Sequence, residues 1–282
     1  MKYRSIKNIL TSKPTIEGAG VHMKRVFGFH EVPAFDPFLL LDDFRSNNPQ
    51  DYIKGFPWHP HRGIETITYV LKGKVEHGDS LGNKGVIGPG DVQWMTAGSG
   101  IIHQEMPMSD ENGSNWGFQL WANLPRSRKM MDPRYREIKG NQIPEITANE
   151  GVKIRVISGE VNGIKGPVDD IVTDPGYLDV TIPPKTEFIH PTDPGYTVFA
   201  YVIDGEGYFD KNDKLFTNGN LVLFDDGDRI SVNTREKHMR ILLISGKPIG
   251  EPVAWYGPIV MNTEVELKQA FEEYRNGTFI KK

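Results

Sequence analysis

The chain contains no cysteine in its 282 residues. Disulfides, thiolate metal sites and a cysteine nucleophile are therefore excluded, and any metal must be held by imidazole or carboxylate. Long apolar runs are missing as well. Nothing approaches the roughly 18 consecutive apolar residues of a membrane span, and the opening MKYRSIKNILTSKPTIEG puts charges where a signal peptide needs an apolar stretch. A cytoplasmic location is expected. Nor is there an excess of positive charge, since 33 Lys and Arg against 37 Asp and Glu leave a formal charge of −4. Neither nucleic acid nor an anionic membrane is an expected partner. Phosphate-cradling loops are lacking too: GPGD and GSG have no strand-to-helix setting, and Ser99 has no nucleophile-elbow pattern around it.

Turn residues are abundant, with 30 Gly and 20 Pro. Between them lie strand-length pieces such as ETITYVLKG, GVIGPGDVQWM, WGFQLWANL, YTVFAYVIDGEGYF and MRILLISGKP. Such turn-punctuated runs predict an all-β chain of sandwich or barrel type rather than βαβ units. One helix is predicted near the C-terminal end, with Thr263 as N-cap, VELKQAFEEYR as body and Gly277 as stop. An internal repeat accounts for the length. Placing Gly73 on Gly205 matches TITYVLKGKV to TVFAYVIDGEGYF, and GPGD ending at Asp91 matches DDGD ending at Asp228. The expected layout is an N-terminal domain over 1–132, a charged, Pro- and Gly-rich linker over 133–148, and a second copy with the helix over 149–282.

The chemistry is concentrated in the first copy. His59 and His61 precede one apolar run, and His103 and Glu105 lie in SGIIHQEMP some forty residues on. Residues two apart on a strand share a face. Each pair can thus present two groups inward, and together they offer three imidazoles and one carboxylate, a donor set for iron, manganese, nickel, copper or zinc. Glu65, four residues after His61, has the same parity and competes as the carboxylate on spacing alone. An isolated His-x-His is more often incidental than a ligand pair; the ordered set of two pairs around a Gly turn and a PGD turn is what singles it out.

HPHRGIETITYVLKG, GPGDVQWMTAGSGIIHQEMP and FDPFLLLDDFR closely resemble pirin-family proteins, within the cupin superfamily. So does EPVAWYGPIVMNTEVELKQAFEEYRNGTF, and the likeness spans nearly the whole chain. The resemblance implies a bicupin of two jelly-roll-like barrels with metal only in the N-terminal one. Its ligands fall on His59, His61, His103 and Glu105, which leaves Glu65 as an acceptor that orients an imidazole or as a structural residue. The implied cofactor is one divalent transition metal, Fe(II) first, with Mn, Ni, Cu or Zn as alternatives. The implied activity is that of a quercetin 2,3-dioxygenase, taking a small aromatic substrate and O2, with Glu105 as the base; a non-enzymatic, metal-dependent regulator with an unnamed protein partner is the competing class. Trp58, Trp94, Phe118 and Trp121 are then either the wall of a flavonoid-sized pocket or core.

The second copy acts as an internal control. The ligand positions map to Pro191, Asp193, Arg240 and Leu242, so no histidine of the set survives and the glutamate position holds a leucine. His190 and His238 are expected to be structural or exposed. With two barrels already fused, a monomer is expected.

Overall fold

The computed structural model describes residues 2–169, 171, 173, 175–209 and 213–281. Strands dominate, and the chain divides into two β units. Lys13–Gly140 and Ile249–Lys282 form one; Met1–Ser12 and Asn141–Pro248 form the other.

The first unit is an antiparallel sandwich. Its seven-stranded sheet runs in the order Arg134–Ile138, Val92–Thr96, Ile64–Lys72, Asn115–Asn123, Phe38–Ser46, Val21–Phe27, Lys13–Glu17. The four-stranded sheet has the order Phe56–His61, Ile101–Met108, Lys74–Asp79, Lys84–Ile87. In the second unit a ten-stranded sheet includes Ile6–Thr11, which pairs with Asn220–Phe224. Its core is one apolar cluster containing Val180, Val202, Phe209, Phe216 and Ile241. The duplicated β-domain expected from the repeat, and the pair of jelly-roll-like barrels implied by the resemblance, are present.

The repeat is visible in the backbone. Gly73 and Gly205 both take positive φ, +71° and +69°, and at both a Cβ would strike a carbonyl oxygen, of Met108 at 2.6 Å and of His238 at 2.0 Å. Only glycine meets both demands. The helix spans Glu264–Arg275, capped by Thr263, whose hydroxyl accepts from the Glu266 N–H while Glu266 reaches back. Such a cap stabilises by about 1 kcal/mol.

The domain boundaries differ from those read along the sequence. The segment 133–148 carries two paired strands: Arg134–Ile138 joins Val92–Thr96, and Glu145–Thr147 joins Lys153–Ser158. The ends of the chain also change units, 1–12 joining the later copy and 249–282 the earlier one. Strand partners are chosen by cross-strand fit over long separations, which a linear boundary ignores.

Candidate metal centre

Phe56–His61 and Ile101–Met108 are antiparallel neighbours in which His103 stands opposite His59. Directly opposed residues share a face. The ligand nitrogens of His59, His61 and His103 accordingly lie within 4.8 Å of one another. His61 and His103 are buried, and His59 is half-buried.

Hydrogen bonding fixes the rings. His59 Nδ1 lies 2.8 Å from the Pro57 carbonyl and His61 Nδ1 lies 3.0 Å from the Pro258 carbonyl, so both Nδ1 atoms donate. In a neutral ring Nε2 then carries the lone pair, and the two Nε2 atoms face each other at 3.1 Å. His103 Nε2 is buried with no hydrogen-bond partner among the described residues. Burial, then the neighbouring His59, holds the His61 imidazole well below its usual range; burial, then His61 and His59, does the same for His103. Three imidazole nitrogens gathered at one point, two of them on buried rings that resist protonation, form a donor set that suits a divalent cation. Two nitrogens bound at about 2.1 Å and at right angles would stand about 3.0 Å apart. The histidine pair fits that spacing.

Glu105 is placed beside the triad but outside the 4.8 Å group. The pairing of its strand with Phe56–His61 shifts register between His103 and Glu105, which stands opposite Phe56. Both of its oxygens accept, Oε1 from the Thr68 hydroxyl at 3.0 Å and Oε2 from the Gln119 amide at 2.9 Å. Sequence reading missed Thr68 and Gln119. A glutamine inside the apolar strand Asn115–Asn123 was the available signal.

Glu65 lies elsewhere. The turn at Arg62 and Gly63 resets the alternation, and Glu65 belongs to the seven-stranded sheet three residues before Thr68, hence on the opposite face from it. There it accepts from the Thr96 hydroxyl at 2.7 Å. Burial raises its carboxyl above the ordinary range. It orients none of the three imidazoles, and of the two roles left to it the structural one stands. His190 is half-buried beside Phe188, and His238 is an exposed partner of Asp204 at 3.0 Å. Arg240, where the repeat would place a ligand, makes a bidentate pair with Asp179.

A cavity of about 740 Å³ includes His59, His61 and Glu105 in its lining. Leu40, Phe56, Trp121 and Trp255 give it apolar walls; Thr68, Gln119 and Asp42 add polar points. Of the four aromatics considered from sequence, only Trp121 lines it. Trp94 and Phe118 alternate onto the other face as buried core, and Trp58 is 52% exposed. Trp255 and Tyr256 enter from the far end of the chain, a contribution that spacing could not reveal.

That C-terminal stretch also braces the His59–His61 turn. Pro258 holds the His61 ring, and the Val260 N–H bonds to the Arg62 carbonyl at 3.1 Å. The buried Arg62 guanidinium pairs with Glu273 at 2.7 Å, bonds to the Phe279 carbonyl at 2.8 Å and lies over the Phe279 ring. Lys129, 1% exposed, reaches the Gly63 and Val260 carbonyls and Asn123 Oδ1 at 2.9, 3.2 and 2.6 Å.

Residues 20–122 match the family signature Pirin, and 177–280 match the Pirin C-terminal cupin domain. A pirin-like protein of Caulobacter vibrioides is 42% identical over 280 residues, covering 99% of this chain and 100% of that one. A quercetin 2,3-dioxygenase structure from Acinetobacter baumannii superimposes with a TM-score of 0.90 at 30% identity, covering 99% of each chain. Escherichia coli YhhW, a bacterial pirin solved with nickel(II), shares the fold at a TM-score of 0.65 and 23% identity, over 86% of this chain and 98% of that one. With both halves matched by their own family signatures and a histidine triad in the first, the chain belongs to the pirin family of two-domain cupins.

Proposed function

We propose that the protein is a metal-dependent dioxygenase that cleaves a flavonol such as quercetin, or a related small phenol, with O2. The observation that carries this reading is the cavity of about 740 Å³ beside His59 and His61. Small-molecule sites occupy roughly 300–1,000 Å³, so three aromatic rings can be accommodated. A centre built only to present its oxidation state to a protein partner needs no such volume. The name of the Acinetobacter baumannii relative supports the same choice.

His59, His61 and His103 would hold the ion, with Glu105 as the proposed fourth ligand and Fe(II) as the proposed metal. When bound, that ion would supply redox chemistry toward O2 and acidify a phenolic hydroxyl. The remaining work falls to side chains. Phe56, Trp121, Trp255 and Leu40 hold the flat rings and exclude water. Glu105 already accepts at both oxygens and retains free lone-pair directions, so it is the acceptor at hand for the substrate's hydroxyl proton. Loss of that proton leaves an electron-rich enolate, whose ring opens on addition of O2 with release of carbon monoxide.

Iron-loaded protein mixed with quercetin in air should consume O2 and form the ring-opened product, with carbon monoxide in equal amount. Absence of O2 uptake and of product from protein carrying one iron per chain would overturn the enzymatic reading. Other phenols, and loading with manganese, nickel or copper, belong in the same panel.

A further inference from the structure

We propose that Gln119 is a positioning residue for Glu105, and that the indole N–H of Trp121 decides which way the Gln119 amide faces. An indole nitrogen can only donate. Trp121 Nε1 lies 3.1 Å from Gln119 Oε1, so that oxygen is the acceptor and the amide nitrogen is turned to Glu105 Oε2 at 2.9 Å. Thr68 closes the other side. Its hydroxyl oxygen accepts from Gln119 at 3.5 Å and sends its hydrogen to Glu105 Oε1 at 3.0 Å. The Thr68 hydroxyl and the Gln119 amide each donate to the carboxylate, so Glu105 is held as an acceptor on both oxygens.

Sheet register builds the device. Gln119 stands opposite Thr68, and Trp121 lies two residues further along the same face. The Trp121 ring meets His61 edge-on, with centroids 5.1 Å apart. A single amide therefore ties the carboxylate to the wall that supports one imidazole. Gln119 belongs to neither the histidine triad nor the proton acceptor; it fixes where that carboxylate sits relative to the three nitrogens.

The inference rests on the metal reading of the triad, and Ni(II) titration of metal-stripped full-length protein by calorimetry separates the two. Loss of a group that orients a ligand typically costs ten- to a hundredfold in metal affinity. Gln119→Leu should weaken Ni(II) binding by about that factor, and Gln119→Leu combined with Glu105→Gln should bind no more weakly than Glu105→Gln alone. Trp121→Phe keeps the ring against His61 and removes the N–H; it should show a smaller loss in the same direction. If Gln119→Leu does not fold, Gln119→Met, which keeps an unbranched side chain of similar length and removes the amide, should show the same loss. Wild-type affinity in Gln119→Leu, even with a lowered melting temperature, would overturn the proposal, as would fully additive losses in the double variant. Failure of the unmodified protein to bind Ni(II), or unchanged binding in His61→Ala, would instead overturn the metal reading itself.

Discussion

Lys129 offers the sharpest test of how the turn behind His61 is held. Its Nζ is enclosed by three oxygen acceptors, and burial lowers its pKa from 10.5 to about 7. The unfolded chain restores the ordinary value. Between about pH 7 and 10.5 the unfolded state thus binds a proton that the native state lacks, and stability rises with pH through that window by up to about 1.4 kcal/mol per unit. Below about pH 7 both states are protonated and the slope from this group vanishes. Lys129→Met removes the titration and orphans Asn123 Oδ1, while the Gly63 carbonyl keeps the Leu124 N–H at 3.3 Å. Each buried acceptor left unpaired costs about 1–3 kcal/mol. The variant should therefore be less stable at pH 8, and the gap should widen by about 2–3 kcal/mol between pH 7 and 9. All five tryptophans, Trp58, Trp94, Trp116, Trp121 and Trp255, lie in the unit that contains Lys129. Urea unfolding followed by tryptophan fluorescence then reads that unit alone. Parallel stability curves for the two proteins across this range would refute the reasoning.

Other consequences are equally direct. His61→Ala should abolish or greatly weaken metal uptake and His190→Ala should leave it unchanged; elemental analysis showing the two alike would sink the one-site reading. A Cβ at Gly63 would lie 1.9 Å from the Val260 carbonyl, at a φ of +78°. Gly63→Ala should cost roughly 2–5 kcal/mol from overpacking and backbone strain, read by urea denaturation, and should weaken metal binding by displacing the strand that follows Pro258. For Glu273, burial raises the carboxyl, but hydrogen bonds from Lys281, Arg62 and Gln269 outweigh it and bring it down to about 2. Its contribution is present above about pH 4.5 and is lost as the pH falls toward 2. Glu273→Gln should be less stable at neutral pH and show a weaker acid dependence, as followed by fluorescence-detected unfolding.

Much of the fold was legible because its signals are local. Alternation marked the strands, Thr263 and Glu266 marked a helix start, and the paired glycines marked a duplication that the backbone repeats. The histidine triad was legible for the same reason, since two-residue spacing on neighbouring strands is enough to gather it. What escaped depends on contacts far apart in sequence. Glu65 shares parity with His61 only if the strand runs unbroken, and the positive φ at Gly63 breaks it. Thr68 and Gln119 reach Glu105 through sheet register, which no short window contains. Trp255 and Pro258 come from a segment some two hundred residues later than the histidines they serve, after the chain has laid down another barrel.

That last arrangement has a consequence for biosynthesis. The carbonyl that sets the His61 tautomer, the strand that bonds to Arg62 and the carboxylate that neutralises its guanidinium all come from residues 258–273. A nascent chain that has emerged only as far as residue 140 holds all three histidines but none of these braces. The frame around the triad is thus incomplete until the ribosome has delivered the C-terminal stretch. An interrupted chain would carry the three histidines without the contacts that fix the turn beside them.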